Sequence, residues 1–428
     1  LPVDGFGEKR RRVPLGSRKP DVAGTGEREE GRREMAFADC CDWDKCTICG
    51  DCLVKCPVME MDPQEAKREF KLLLEGKEAP RVFKECTLCF SCNNYCPEGL
   101  RPYELILQRI TERRKEKPAL LPYFVNGMPP YNLFQDLYGS LTFAEQEILR
   151  RWSEVPEGAE EVLFIGCVGK TLCQDIENSR VLASLPKYGP SDVCCGELAY
   201  RGGLWDTYTE VADRIFDRLS GLGTQRLVCY CGSCHNFLGN IMPKVYGKSL
   251  PFEVVSLYQW LWEKVEAGEL GFKRSLGYKA AIHESCYATE LGPSFYETLR
   301  KLYRAAGVDL VELEHNRERP LSCGAASIAR NWNVLDVLKE QNRRYVEVKK
   351  AGASEMALNC PGCYLTMGFT SPLRGIKLHY MVEEILWALG DDITVPLKKR
   401  LPLIAWTLVK RAPLLLKKVE PPLPGIRP

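Results

Sequence analysis

Twenty-one cysteines in a chain of 428 residues, nearly all in tight clusters, constrain this sequence more than any other feature. They fall in CxxCxxCxxxCP, CxxC and CC patterns instead of being spread through loops. Disulfide scaffolds are short, secreted and loop-rich. Cysteines this close in sequence face one centre, and thiolates gathered in that way bind metal. Only four histidines accompany them, too few for a chain that relies on imidazole-bound zinc or haem. Thiolate-only ligation points to iron–sulfur clusters, and with them to a reducing, cytoplasmic compartment.

The length allows two to four compact domains. A net charge of +2 gives no reason to expect nucleic acid as a partner. No apolar run is long enough to span a bilayer, and the charged, Gly-rich start lacks the apolar core of a secretory signal. Cysteine density divides the chain. A mobile charged arm is expected over 1–34, then a segment at 35–117 holding ten cysteines. A cysteine-free linker follows at 118–160, with one helix around Phe143–Trp152. Two further segments, 161–271 and 272–390, hold seven and four cysteines, and a basic, apolar tail runs over 391–428.

In the ten-cysteine segment, Cys46, Cys49, Cys52 and Cys56-Pro57 form one motif and Cys86, Cys89, Cys92 and Cys96-Pro97 a second. Both carry the bacterial ferredoxin spacing, in which the fourth cysteine serves the other cluster. One [4Fe–4S] cluster is therefore expected on Cys46, Cys49, Cys52 and Cys96, and another on Cys86, Cys89, Cys92 and Cys56. Structural zinc is the competing reading. The spacer between the motifs reads as a helix over Glu65–Leu74, and Glu104–Arg114 as another, so the domain is a helical variant. Cys40 and Cys41 precede the motifs and are expected to pack, not to ligate.

The next two segments repeat one plan. Each opens on a short apolar strand that leads to a cysteine, Cys167 in one and Cys286 in the other. Each then carries a Cys-Gly element (Cys194-Cys195-Gly196; Ser322-Cys323-Gly324), a helix, a strand running into CxxC (Cys231 and Cys234; Cys360 and Cys363), and a final strand and helix. Alternating strands and helices predict parallel-sheet α/β units with the cysteines at the carboxyl ends of the strands. The first copy offers five thiolates, one more than a cube needs, which suggests a distorted or larger cluster. The second offers four, enough for an ordinary [4Fe–4S] cluster, with a clusterless relic as the alternative.

The repeated Cys…Cys-Cys-Gly…Cys-x2-Cys pattern resembles the cysteine-rich CCG domain of heterodisulfide reductases. In that family a helical two-cluster ferredoxin domain precedes two CCG domains, a layout similar to Cys46–Leu389 here. The resemblance implies an α+β multidomain fold: a helical ferredoxin-like domain followed by two repeated α/β CCG domains with parallel sheets. It further implies a non-cubane [4Fe–4S] cluster on Cys167, Cys194, Cys195, Cys231 and Cys234, which in the family cleaves a disulfide in two one-electron steps. Those five are the candidate catalytic residues. Ser322 departs from the pattern. One complete and one degraded site is more similar to the cysteine-rich subunit of the membrane redox complexes of sulfate reducers, whose presumed partner carries a di- or trisulfide. Implied partners are a flavoprotein, a cytochrome b-type membrane subunit or a ferredoxin-type protein. CCG subunits of glycolate, lactate and glycerol-3-phosphate dehydrogenases, which relay electrons, offer the alternative role.

Gly166, Gly196, Gly232 and Gly362 are expected to permit close backbone approach and N–H donation to cluster sulfur. His235 and His283 stand near cluster cysteines as candidate proton donors; a packed, hydrogen-bonded histidine is the plainer reading. Cys173 could replace Cys167 as ligand, but Cys167 follows its strand directly. Cys229 is expected to pack. No GxGxxG after a strand and no Walker sequence occurs, so neither nucleotide nor flavin is expected in this chain. The tail alternates basic residues with short apolar runs, which suits peripheral membrane or partner docking as well as packing over the protein's own domains.

Overall fold

Two parallel sheets of the same topology carry the repeats. The computed structural model describes residues 36–114, 117–118, 123–127, 132–331, 333–415 and 418–419; the arm expected over 1–34 lies outside them. In the first sheet β1 (Glu161–Phe164) lies between β2 (Lys187–Tyr188) and β3 (Arg226–Cys229), and β4 (Glu253–Ser256) flanks β3. The second repeats the order with β5 (Lys279–His283) between β6 (Asp309–Val311) and β7 (Glu355–Leu358), and β8 (Lys377–Tyr380) outside β7. Every pairing in both sheets is parallel.

β1 shows why these runs are strands. Its side chains alternate between two cores. Val162 and Phe164 join the core shared with the N-terminal helices, while Leu163 and Ile165 join the core shared with the second sheet. A strand buried on both faces reads as a continuous apolar run, as parallel strands do.

The N-terminal region is helical. α1 (Pro63–Leu74) starts where the Asp62 carboxylate accepts the N–H groups of Gln64 and Glu65 at 2.9 and 3.0 Å, with Pro63 pre-set for the first turn. It buries Ala66, Phe70 and Leu73 on one stripe. Burying a side chain the size of Phe70 or Leu73 contributes roughly 1.5–3 kcal/mol. α2 (Pro102–Arg113) packs its apolar face against the same core. Between this region and the first sheet lie α3 (Leu133–Gly139) and α4 (Phe143–Arg151), the latter begun by a Thr142–Glu145 capping box. They bury Leu133, Phe134, Leu137, Tyr138 and Leu149.

Helices follow the strands as the α/β alternation requires. In the first copy these are α5 (Cys167–Lys170), α6 (Glu197–Arg201), α7 (Trp205–Ser220), α8 (Gly232–Asn236) and α9 (Leu257–Glu266). In the second they are α10 (Ala288–Ala305, kinked at Gly292), α11 (Val334–Lys350), α12 (Pro361–Met367) and α13 (Met381–Leu389). In the tail, α14 (Leu401–Leu415) follows a short helical turn at Leu397–Arg400. It packs back on α3, with Arg411 paired to Asp136 at 2.6 Å, and leaves Trp406 and Val409 exposed. No helix among the described residues is long and apolar enough to cross a membrane.

Candidate metal centres

The cysteines stand where strands hand over to helices. Cys167 opens α5 two residues beyond Ile165, Cys231 caps α8, and Cys234 lies inside that helix. Cys194 and Cys195 precede Gly196, whose φ of +82° places the chain in the left-handed region before α6. The second copy repeats this: Cys286 follows β5, Gly324 has φ +83°, and Cys360 caps α12 with Cys363 inside it. The carboxyl ends of the strands of each sheet therefore converge their thiols on one place.

All five thiols of the first copy meet. Cys167 Sγ lies 3.5 Å from Cys194 Sγ. Cys194 in turn touches Cys195, Cys195 touches Cys234, and Cys234 touches Cys231. The thiols of Cys167 and Cys195 together hold Cys194 well below the usual thiol range. Cys167 and Cys231 keep accessible surface, whereas Cys194, Cys195 and Cys234 are buried. A Cβ on Gly166 would lie 2.7 Å from Cys234 Sγ. The Gly196 N–H approaches Cys194 Sγ at 3.5 Å. Five thiols in mutual contact, with backbone kept close by glycine, are a donor set that fits a sulfur-ligated metal group.

The second copy is tighter. Cys286, Cys323, Cys360 and Cys363 are all buried. Cys323 is held well below the usual range, first by Cys363 and then by His283, whereas burial pushes Cys286 up to about 12. Ser322 takes the place of Cys194: the Gly324 N–H donates to Ser322 Oγ at 3.0 Å, as the Gly196 N–H does to sulfur in the first copy.

In the N-terminal region Cys46, Cys49, Cys52 and Cys96 line a single cavity with Trp43, Gly50 and Phe70. Cys56, Cys86, Cys89 and Cys92 lie within each other's charge range, and Cys92 also feels Cys52. The fourth cysteine of each motif thus sits with the other motif's three. The two CxxCxxC loops share a backbone signature: φ is positive at Ile48 and Gly50, and again at Leu88 and Phe90. Left-handed Ile, Leu and Phe residues cost on the order of 1–3 kcal/mol each. Wrapping a loop around one point, with N–H groups turned inward, gives such a conformation a purpose; the Leu88 N–H approaches Cys86 Sγ at 3.5 Å.

The other candidates divide: Cys173, Cys229, Cys40 and Cys41 pack apart from the sulfur groups, whereas His283 and Gly362 lie against the second one. Cys173 is buried against the Glu145 carbonyl. Cys229 is buried in β3, with its thiol raised by burial alone. Cys40 and Cys41 lie side by side, Sγ to Sγ 3.7 Å, next to Arg101 and Glu104, and Cys41 is lowered to about 7 chiefly by its neighbour's thiol. His235 is lowered to about 4 by burial and packs by Phe295, so it is neutral near pH 7. His283 is fully buried beside Cys323. Gly232 is crowded by the Tyr287 ring, and a Cβ on Gly362 would lie 3.5 Å from Cys360 Sγ.

Several residues near the centres carry no sequence signal. Lys170 is fully buried beside the first centre; burial lowers its ammonium, and the charges of Cys167, Cys194 and Cys234 oppose this. Arg201, from α6, donates to the Leu88 carbonyl at 3.1 Å and feels Cys286 and Cys323. Arg330 donates to the Cys86 carbonyl at 2.7 Å. Tyr287 feels the charges of both Cys360 and Cys231. Only folding brings these side chains to the sulfurs.

Comparison with known proteins agrees with this arrangement. Residues 42–100 match the family described as 4Fe-4S dicluster domain, and residues 162–239 and 280–368 each match the cysteine-rich domain family CCG. The chain is 25% identical over 391 residues to a subunit of the dihydromethanophenazine:CoB–CoM heterodisulfide reductase of Methanosarcina acetivorans, covering 82% of this chain and 95% of that protein. It is 22% identical over 364 residues to the EtfAB:quinone oxidoreductase of Syntrophomonas wolfei, covering 77% of this chain and 48% of that protein. A probable membrane-anchored ferredoxin of Chromohalobacter salexigens is 24% identical over 313 residues, covering 68% of this chain and 44% of that protein. The chain is therefore an iron–sulfur protein in which a 4Fe-4S dicluster domain precedes two CCG domains, homologous to the Methanosarcina heterodisulfide reductase polypeptide.

Proposed function

We propose that this chain is the electron-accepting or electron-donating subunit of a redox complex in which the five-cysteine centre works on the sulfur–sulfur bond of a disulfide-type substrate. In this reading Cys46, Cys49, Cys52 and Cys96 hold one cubane [4Fe–4S] cluster, and Cys86, Cys89, Cys92 and Cys56 hold the second. Cys167, Cys194, Cys195, Cys231 and Cys234 hold a non-cubane [4Fe–4S] cluster, and Cys286, Cys323, Cys360 and Cys363 a further [4Fe–4S] cluster. When bound, the group at the five-cysteine centre supplies the single-electron steps that a two-electron disulfide conversion needs. The protein's part is to hold five thiolates in one place, to keep backbone close through Gly166 and Gly196, and to leave Cys167 and Cys231 partly accessible. The observation that carries this reading is the contrast between copies. The first has five converging thiols and accessible surface on Cys167 and Cys231, and the second has four, all buried. The name of the Methanosarcina relative, a heterodisulfide reductase, supports the substrate class. Partner subunits are a flavoprotein, a cytochrome b-type membrane protein or a ferredoxin-type protein. The exposed Trp406 and Val409 on α14 suit contact with a partner or membrane surface.

The test is EPR on anaerobically purified, oxidised protein with and without thiol. A thiol-dependent paramagnetic signal that disappears in Cys195→Ser supports disulfide chemistry at this centre. No response to thiol in protein holding about sixteen irons, the number four clusters require, overturns it. A second reading, in which the chain only relays electrons between a flavoprotein and a quinone or ferredoxin pool, is favoured by the small exposure of Cys194, Cys195 and Cys234 (8%, 6% and 3%). It expects normal electron throughput with no thiol-dependent signal.

A further inference from the structure

Among the matched positions at which the two copies differ beside their sulfurs, two compensate in charge. Cys194 of the first copy becomes Ser322 in the second, held by the same N–H contact two residues on. Three residues after the first cysteine of each copy stand Lys170 and Thr289. Where the first copy has one more thiolate, it also has a cation at a matched position where the second copy has none; the cation that acts on Cys286 and Cys323, Arg201, comes from α6 of the first copy.

Lys170 is placed for that purpose. Its side chain is fully buried, and no carboxylate among the described residues pairs with it. Its Nζ donates to the carbonyls of Pro190 and Val193, the second at 3.2 Å, and Val193 directly precedes Cys194. The ammonium also lies 5.9 Å from the centre of the Tyr138 ring, and the Tyr138 hydroxyl donates to the Cys167 carbonyl at 2.8 Å. In the second copy Thr289 Oγ1 merely closes on the Cys286 carbonyl at 3.0 Å. An ammonium taken out of water costs several kcal/mol, even after relaxation, unless negative charge offsets it. Carbonyl dipoles alone do not do so. The negative groups that act on it are, in order, the sulfurs of Cys167, Cys194 and Cys234, and then the carboxylate of Asp192.

We infer that Lys170 is a positioning residue that is the charge counterpart of Cys194: it latches the loop carrying Cys194 and offsets the fifth thiolate at the first centre. This rests on the reading that the first centre holds a five-thiolate cluster. A positive charge beside a redox centre stabilises its reduced, more negative state and so raises its potential.

The experiment is a redox titration followed by EPR, with iron analysis, on the full-length cluster-loaded chain as wild type, Lys170→Met and Lys170→Arg. The expected result is a midpoint potential of the first centre shifted negative in Lys170→Met and largely retained in Lys170→Arg, with the ferredoxin-type clusters unmoved. Loss of iron from the first centre alone in Lys170→Met, restored by adding Cys194→Ser, supports the inference equally. An unchanged potential and line shape in folded, loaded Lys170→Met overturns it. Where Lys170→Met does not fold, the second copy decides. Ser322→Cys together with Thr289→Lys is expected to give a five-thiolate line shape that Ser322→Cys alone does not, and identical behaviour of the two overturns the pairing. A wild-type chain with no distinct signal from the first centre overturns the cluster reading itself, and that is visible before any substitution is made.

Discussion

Gly166 and Gly239 lie in the same copy, yet an added methyl group has opposite consequences at the two. At Gly166 it would meet Cys234 Sγ at 2.7 Å, whereas at Gly239 the nearest atom is 3.6 Å away. The sulfur at Gly166 cannot retreat without leaving its centre. Gly166→Ala is expected to lower stability by about 1–3 kcal/mol, the usual cost of overpacking, and to remove iron from the first centre while sparing the ferredoxin-type centres. Gly239→Ala is expected to change neither. Iron analysis with denaturant melts on both variants checks the pair, and equal behaviour would show that the close approach at Gly166 has no bearing on the metal. Gly196 is constrained differently, by a left-handed φ of +82° and the Tyr208 ring 2.9 Å from its added Cβ, so its glycine serves the turn that presents Cys194 and Cys195.

At the level of elements, how much could be read in advance depended on periodicity and spacing. Two strands of each copy are apolar runs that lead to cysteines, and with the final strand, Glu253–Ser256 or Lys377–Tyr380, they lie within a few residues of their expected places. The fourth strand of each sheet, Lys187–Tyr188 and Asp309–Val311, is too short to show a period and could not be read. The sharing of Cys56 and Cys96 between the two motifs follows from spacing and reappears as proximity. The buried Lys170, Arg201 and Arg330 were not legible, because a cation in a helix reads as a solvated face until the fold encloses it. Glu383 on α13 is another such case. Its carboxylate accepts the Leu397 N–H at 2.6 Å, where the tail begins, and burial pushes it up to about 8 from 4.5. The folded protein therefore binds a proton over this window that the unfolded chain releases, and stability falls as pH rises through it. The side chain keeps some accessible surface, so solvent screening limits the effect to about 1–2 kcal/mol. Glu383→Gln is expected to flatten the dependence of melting temperature on pH between 4.5 and 8. A slope unchanged from wild type would assign it to other groups.

Over the whole molecule, the N-terminal region is bound to both copies by buried polar contacts at its second cysteine motif. Arg330 of the second copy, 4% exposed, donates to the Cys86 carbonyl and pairs with Asp336 at 3.0 Å. Arg201 of the first copy, 6% exposed, donates to the Leu88 carbonyl and pairs with Glu197 at 3.0 Å. Asn93 and Arg101 reach Glu290 at 2.9 and 2.8 Å, and the Tyr95 hydroxyl donates to the Glu318 carbonyl at 2.8 Å. These contacts hold the loop carrying Cys86 and Cys89 against the side of the molecule where Cys286 and Cys323 lie. The region should then unfold with the rest of the molecule, because separating it gives up all these buried hydrogen bonds and ion pairs at once, together with the apolar core beneath them. Replacing both arginines with Met removes the donors but leaves the carbonyls buried, at a cost of about 1–3 kcal/mol for each unpaired group. In calorimetry on the cluster-loaded chain, wild type is expected to give one transition in which visible cluster absorbance and helical signal are lost together. Arg201→Met combined with Arg330→Met is expected to split it, with part of the cluster absorbance lost at a lower temperature than the sheets melt. A single transition that only shifts downward would mean that the apolar core joining β1 to the N-terminal helices, with Phe164 and Tyr200 within it, couples the two parts without help from the arginines.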